Sequence, residues 1–196
     1  MAERWREALH RFQEEFERVG GVFHRAESLA HVPAIIAGVA AANGATQLVA
    51  WQPAALGLDL APALAPAGLS VVTPTAADDA SRQRHLEDAA GAQIGVTGCD
   101  LAVAETGTLV VVSGEGRPRS TSLLPETHVA LFDSSRLVES LEQVGIMLEA
   151  WHAASAAPSS GINFITGPSR TADIELTLTR GVHGPKDVHA IFVERP

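Results

Sequence analysis

Short runs of β-forming residues, apolar on both faces, punctuate the chain between residues 47 and 193, and stretches of helical periodicity separate them. The runs are Gln47–Trp51, Leu69–Thr73, Ala92–Thr97, Thr108–Ser113, His128–Phe132, Ile162–Thr166 and Val188–Val193. A strand with one face in water alternates apolar and polar residues. These runs do not, so the sheet they form is expected to be covered on both sides. Helical crossovers between them make neighbouring strands parallel. Leu101 to Val112 departs from the pattern: two apolar runs flank a tight polar turn, which predicts an antiparallel hairpin and a mixed sheet. The fold class expected is α/β, an open, mixed, mainly parallel sheet with helices on both faces.

Trp5, Leu9, Phe12, Phe16 and Val19 recur at spacings that place them on one stripe of an amphipathic helix, which Gly20-Gly21 ends. A second helix is predicted from Ser28 to Ala42, regular from Pro33 onward and stopped at Asn43-Gly44, with both helices preceding any strand. Ala76–Ala90 and Ser134–Ala153 read as intervening helices, the latter burying Leu137, Leu141, Val144, Met147, Leu148 and Trp151. At 196 residues one structural domain is expected. Residues 1–45 form its N-terminal helical segment, packed on the core, and residues 46–196 the α/β domain. Ala153 to Gly161, rich in Ala, Ser and Pro, is a surface connection.

The net charge of −9 comes without any cluster of Lys or Arg, which argues against nucleic acid or an anionic membrane as partner. A single cysteine, Cys99, allows no internal disulfide and anchors no iron–sulfur cluster or zinc site alone. The charged N-terminus lacks an apolar export segment, and no apolar stretch approaches the roughly 18 residues of a membrane span. A cytoplasmic location follows as the expectation. No phosphate-binding loop, nucleophile elbow or dinucleotide fingerprint is present. His10, His24, His31, His85 and His152 fall on predicted helices or their ends and read as surface or partly buried residues.

Three polar constellations remain. In the first, Asp100 and Glu105 stand in an apolar, small-residue stretch where a carboxylate must be paired, hydrogen-bonded or raised in pKa. Glu105 is either a general base or substrate ligand at a strand end, or, with Thr106, an acceptor for turn hydrogen bonds. The second, Glu115 to His128, is a polar loop whose Arg119, more than Arg117, suits a carboxylate or phosphate. In the third, a strand ending at Thr166 is followed by Gly167, Pro168, Ser169 and Thr171, and a helix N-terminus there would bind an anion, with Asp173 and Glu175 complementing its dipole. His183, between glycines and before a proline, is a candidate ligand or proton-transfer group.

Taken in order, Gly95-x-Thr97-x-x-Asp100-x-Ala102-x-Ala104-Glu105-Thr106-Gly107-Thr108-Leu109, then Ser122-Leu123-Leu124-Pro125-x-x-His128, then Thr166-Gly167-Pro168-Ser169-x-Thr171-Ala172-Asp173-Ile174-Glu175 with Gly181-Val182-His183-Gly184-Pro185, resemble the LUD family, more narrowly its lactate-utilisation protein C branch. The resemblance implies a fold similar to the NagB/RpiA/CoA-transferase group. It implies a role in oxidising L-lactate to pyruvate beside iron–sulfur partner proteins, with no cofactor bound by this chain. A pocket for the small carboxylate would then draw on Asp100, Thr106, Gly107, Arg119, Ser169 and Thr171, with Glu105 or His183 as base and Arg119 as cation. Longer members of the family carry cysteine-rich cluster motifs that this chain lacks, so its redox chemistry would lie in the partners. Two alternatives stay open: a free-standing CoA-transferase-like enzyme or hydrolase, in which Glu105-Thr106-Gly107 resembles the glutamate turn of that group and supplies the nucleophile, and a structural adaptor.

Overall fold

The computed structural model describes residues 4–75, 78–154, 161–172, 178–180 and 183–195. In chain order its elements are α1 (Arg4–Arg18), β1 (Val22–Ala26), α2 (Val32–Asn43), β2 (Gln47–Ala50), α3 (Pro53–Leu56), α4 (Leu60–Leu64), β3 (Ser70–Val72), α5 (Asp79–Gly91) and β4 (Ile94–Gly98). There follow β5 (Leu101–Val103), β6 (Thr108–Ser113), α6 (Ser120–Leu123), β7 (Thr127–Asp133), β8 (Leu137–Val138), α7 (Leu141–Ala154), β9 (Gly161–Ile165), β10 (Arg170–Ala172), β11 (Leu178–Arg180) and β12 (Asp187–Val193).

Six strands form the main sheet in the order β1-β12-β7-β4-β2-β3, and each neighbouring pair is parallel. Successive residues along these strands face opposite sides, and both sides are apolar, as the runs predict. On one side Leu48, Val96, Val129 and Ile191 meet Val32, Ile36 and Val39 of α2 and Leu60 and Leu64 of α4. On the other, Ala130, Phe132, Ala190 and Phe192 meet Leu9, Phe12 and Phe16 of α1. Phe12 sits edge-on to Phe132 with ring centres 5.1 Å apart, so the predicted stripe of α1 is the one that docks. The α2 stop also falls where expected, at Gly44 with φ +62°.

Four departures from the sequence reading have physical causes. First, β1 lies between the two N-terminal helices and pairs with β12; His24 and Arg25 interrupt its apolar pattern, and an edge position tolerates them. Second, the predicted hairpin forms, as β5 and β6, but its antiparallel pairs are confined to a separate sheet of order β8-β5-β6-β9 lying over α1. Third, the helix expected from Ser134 starts only at Leu141, because Asp133 accepts a hydrogen bond from Ser135 N (2.7 Å) and turns the chain, and Leu137 and Val138 then pair with Ala102 and Val103. Fourth, where a helix N-terminus is expected after Thr166 the described residues are extended: Arg170–Ala172 pairs antiparallel with Leu178–Arg180. The connection at 155–160 and the carboxylates Asp173 and Glu175 lie outside the described residues.

Candidate functional site

Asp100 follows β4 and opens the hairpin, where its carboxylate is mostly enclosed. It accepts a hydrogen bond from Val112 N (2.7 Å) and pairs with Arg117. The Arg117 guanidinium in turn stacks over Trp51, 4.4 Å from the ring centre. This is the paired carboxylate that the apolar surroundings of Asp100 demanded, and the pairing arginine is Arg117. Gly114 and Arg117 exchange backbone hydrogen bonds of 3.1 and 3.0 Å, closing a tight turn. Gly116 has φ +68°, a conformation that favours glycine, and a Cβ there would lie 2.4 Å from Gln52 Oε1 and push that side chain aside. Gln52 N donates to Gly116 O (3.0 Å), Gln52 Nε2 to Pro74 O (2.9 Å), and Trp51 Nε1 to Pro118 O (3.2 Å). The turn is thereby fastened to the carboxyl ends of β2 and β3.

Beneath Pro118 and Arg119 the chain enters α6, which lies directly on the sheet. A Cβ on Gly95 would stand 1.8 Å from Thr121 O, which explains the glycine in β4. His128 of β7 is wholly buried on this side and shares a 2.9 Å hydrogen bond with Thr97 Oγ1. Burial, with His189 adding to it, holds its pKa down at about 3. Facing α6 is α5, whose start is fixed by a reciprocal cap between Asp78 and Ser81. Ser81, His85 and Ala89 form its inward stripe. His85 is 6% exposed, and neither ring nitrogen has a hydrogen-bond partner in the protein. Burial lowers its pKa, opposed by Asp88.

Between α5 and the turn runs a crevice of about 650 Å³. Arg82, His85 and Leu86 line one wall; Gly116, Pro118 and Arg119 line the other, with Glu115 at the same site. The crevice lies beyond the carboxyl ends of β2 and β3. The chain leaves β2 across one face toward β3 and leaves β4 across the other toward β7, the place where open parallel sheets hold ligands. Among the described residues Arg82 pairs with the fully exposed Asp79, at 3.8 Å, and Arg119 has no ion pair. Two guanidinium groups thus flank an opening at which an anion is the complementary ligand.

The other expected residues lie elsewhere. Glu105 Oε1 accepts from Leu141 N (3.1 Å) and so caps the start of α7. Thr106, Thr108 and Thr166 form a hydroxyl chain with links of 2.7 and 2.8 Å. Gly107, at φ +60°, is pressed so closely on α1 that a Cβ would lie 2.3 Å from Phe16 N. Ser169 N donates to Pro185 O (2.9 Å), and Ser169 Oγ accepts from His183 N (3.4 Å), with His183 exposed. Lys186 N donates to Glu126 O (2.7 Å), which puts this group at the amino ends of β7 and β12. The Thr171 side chain lies outside the described residues. The structure therefore joins Ser169 with His183, and Thr106 and Gly107 with Thr166, but separates both sets from Arg119, which lies at the opposite end of the sheet. The single pocket expected from Arg119, Ser169 and His183 does not form.

Sequence reasoning missed Arg82 and His85. The available signal was the spacing Ser81, His85, Ala89, a stripe of small residues interrupted by one imidazole on a helix bordering the sheet. His24 was likewise placed on a helix; it lies on β1 and shares a 2.9 Å hydrogen bond with His189. Among the described residues no group of three or more His, Cys, Asp and Glu could hold a metal ion. The Cys99 thiol is buried and donates to Leu101 O (2.9 Å), and burial raises its pKa well above the usual range. No helix among the described residues is long and apolar enough to cross a membrane.

The fold is an open parallel α/β sheet with two arginines beside a crevice at its strand ends, and comparison places it in a family. The LUD domain model matches residues 9–193, and the chain belongs to that family. It is 44% identical over 117 residues to lactate utilization protein C of Halalkalibacterium halodurans, covering 60% of this chain and 51% of that protein. With the Bacillus subtilis protein of the same name the identity is 38% over 122 residues, covering 62% and 51%. The chain spans about half the length of the curated relatives it matches. A crystal structure of a DUF162 family protein from Deinococcus radiodurans superposes with a TM-score of 0.65 at 21% identity, covering 96% of this chain and 98% of that one, and so shares its fold.

Proposed function

We propose that this chain serves L-lactate utilisation in the cytoplasm as a non-redox component that holds a small carboxylate while iron–sulfur partner proteins carry the electrons. The names of the relatives support the pathway. The observation that carries the binding role is the crevice at the strand ends, flanked by Arg82 and by Arg119, which has no ion pair among the described residues. A three-carbon acid fills only the inner end of a space this large, and the remainder opens toward solvent or a partner. Glu105 as a nucleophile is the weaker reading, because its carboxylate is engaged in capping α7.

The test is growth on L-lactate of a strain lacking the gene, complemented with wild type, Arg119→Ala or Arg82→Ala/Arg119→Ala. Both variants are expected to fold, since neither arginine supports the core, and the double variant to abolish growth. Undiminished growth of the folded double variant would refute the binding role. Affinity capture of iron–sulfur proteins from lactate-grown cells tests the partnership.

A further inference from the structure

His85 is the one residue of the crevice whose placement packing does not explain. It occupies the inward stripe of α5 between Ser81 and Ala89 and is 6% exposed. Both ring nitrogens lack a protein partner, and a buried polar group left in that state lowers stability. The side chain also lines the crevice, on the same wall as Arg82 and across from Arg119, with both nitrogens closed to solvent, so a ligand reaches them once the ring turns toward the opening. An uncompensated polar group bordering a ligand space is expected when the ligand itself supplies the missing hydrogen bond.

We propose that His85 recognises the oxygen on carbon 2 of a 2-hydroxy or 2-oxo carboxylate, while Arg119 and Arg82 hold the carboxylate. This rests on the carboxylate-binding reading above and deepens it, from any small anion to acids bearing a second oxygen beside the carboxylate. A neutral imidazole carries one N–H donor and one acceptor nitrogen, so it accepts from the hydroxyl of a hydroxy acid or donates to the carbonyl of an oxo acid. Burial favours that neutral form. Guanidinium groups occupied by the carboxylate do not distinguish lactate from propionate, which has the same carbon skeleton without the second oxygen.

The experiment titrates the full chain with L-lactate, pyruvate and propionate, followed by NMR shifts of the protein, for wild type, His85→Leu, His85→Gln and Arg119→Ala. Wild type is expected to bind lactate or pyruvate about tenfold more tightly than propionate, the worth of one well-placed hydrogen bond. His85→Leu should bind all three alike, His85→Gln should recover part of the preference, and Arg119→Ala should weaken all three together. The melting temperature of His85→Leu should equal or exceed that of wild type, since the substitution removes a buried unpartnered group. Three results overturn the inference while leaving the carboxylate site standing: equal binding of the three acids by wild type, a preference that survives in His85→Leu, or a large drop in melting temperature for that variant, which would mark a structural role. If none of the acids binds to wild type, the carboxylate-binding reading falls and this inference falls with it.

Discussion

Acid should destabilise this fold chiefly through histidines that the native state keeps neutral, and His128 gives the measurable case. It is wholly buried with a native pKa of about 3, against 6.5 for an ordinary histidine. The unfolded chain therefore takes up a proton that the native chain refuses. Stability is complete above the unfolded pKa and is lost as pH falls from 6.5 toward 3. Between pH 7 and pH 5 the unfolded site gains about 0.7 of a proton, and the integrated loss is about 2 kcal/mol, a figure that needs only a native pKa below about 4. His189, which burial and the neighbouring His24 hold at about 4, acts in the same direction, so wild type loses more than this. Replacing His128 with Gln removes the titration while leaving an amide to bond Thr97. Urea unfolding of both proteins at pH 7 and pH 5 is the assay. The variant should lose about 2 kcal/mol less than wild type on acidification, or about 4–8 °C less in melting temperature for a chain of this size. Identical pH slopes for the two proteins would refute the reasoning, because His128 would then be accessible to protons in the fold.

Gly107→Ala should cost about 3 kcal/mol or more, since it combines a left-handed backbone with a Cβ driven into α1; a melt within a degree or two of wild type would contradict that. Arg117→Ala leaves Asp100 enclosed without its cation and should cost about 2 kcal/mol, less than a fully buried pair because Arg117 is partly exposed. The same variant should weaken carboxylate binding although Arg119 is intact, which titration with lactate checks. Glu105→Gln keeps an oxygen for Leu141 N and should shift stability by less than about 1 kcal/mol with growth on lactate preserved, whereas loss of growth in a stable variant would favour the nucleophile.

Of the main sheet, β2, β3, β4, β7 and β12 were legible because each is apolar on both faces. β1 was not, since an edge strand needs only one neighbour and its His24 and Arg25 carry no strand periodicity. β8 was hidden inside a run whose Leu137, Leu141, Val144 and Leu148 fit a helix, and only the hairpin lying beside it selects the extended form for Leu137 and Val138. In the site, Asp100 announced that it needed a partner but not which arginine, because both stand in one short loop and the choice depends on Trp51, far away in sequence. Arg119 was legible as a guanidinium in a polar loop. His85 was not, because burial of one helical face is set by what packs on it, and α6 has no pattern of its own in the sequence.

Fastening the Gly114–Arg117 turn to Trp51, Gln52 and Asp100 has a consequence for the energetics of binding. Arg119 follows this turn by two residues and leads straight into α6, so its backbone is held before any ligand arrives. A loop arginine normally surrenders conformational entropy when it closes on an anion, and that loss offsets much of the contact's favourable energy. Here the backbone part of the loss is borne once, at folding, by the ion pair and the glycine turn. Under the proposed function this raises the affinity for a small acid, which has few atoms with which to compensate, and makes its off-rate sensitive to substitution of Arg117, which lies outside the lining of the crevice.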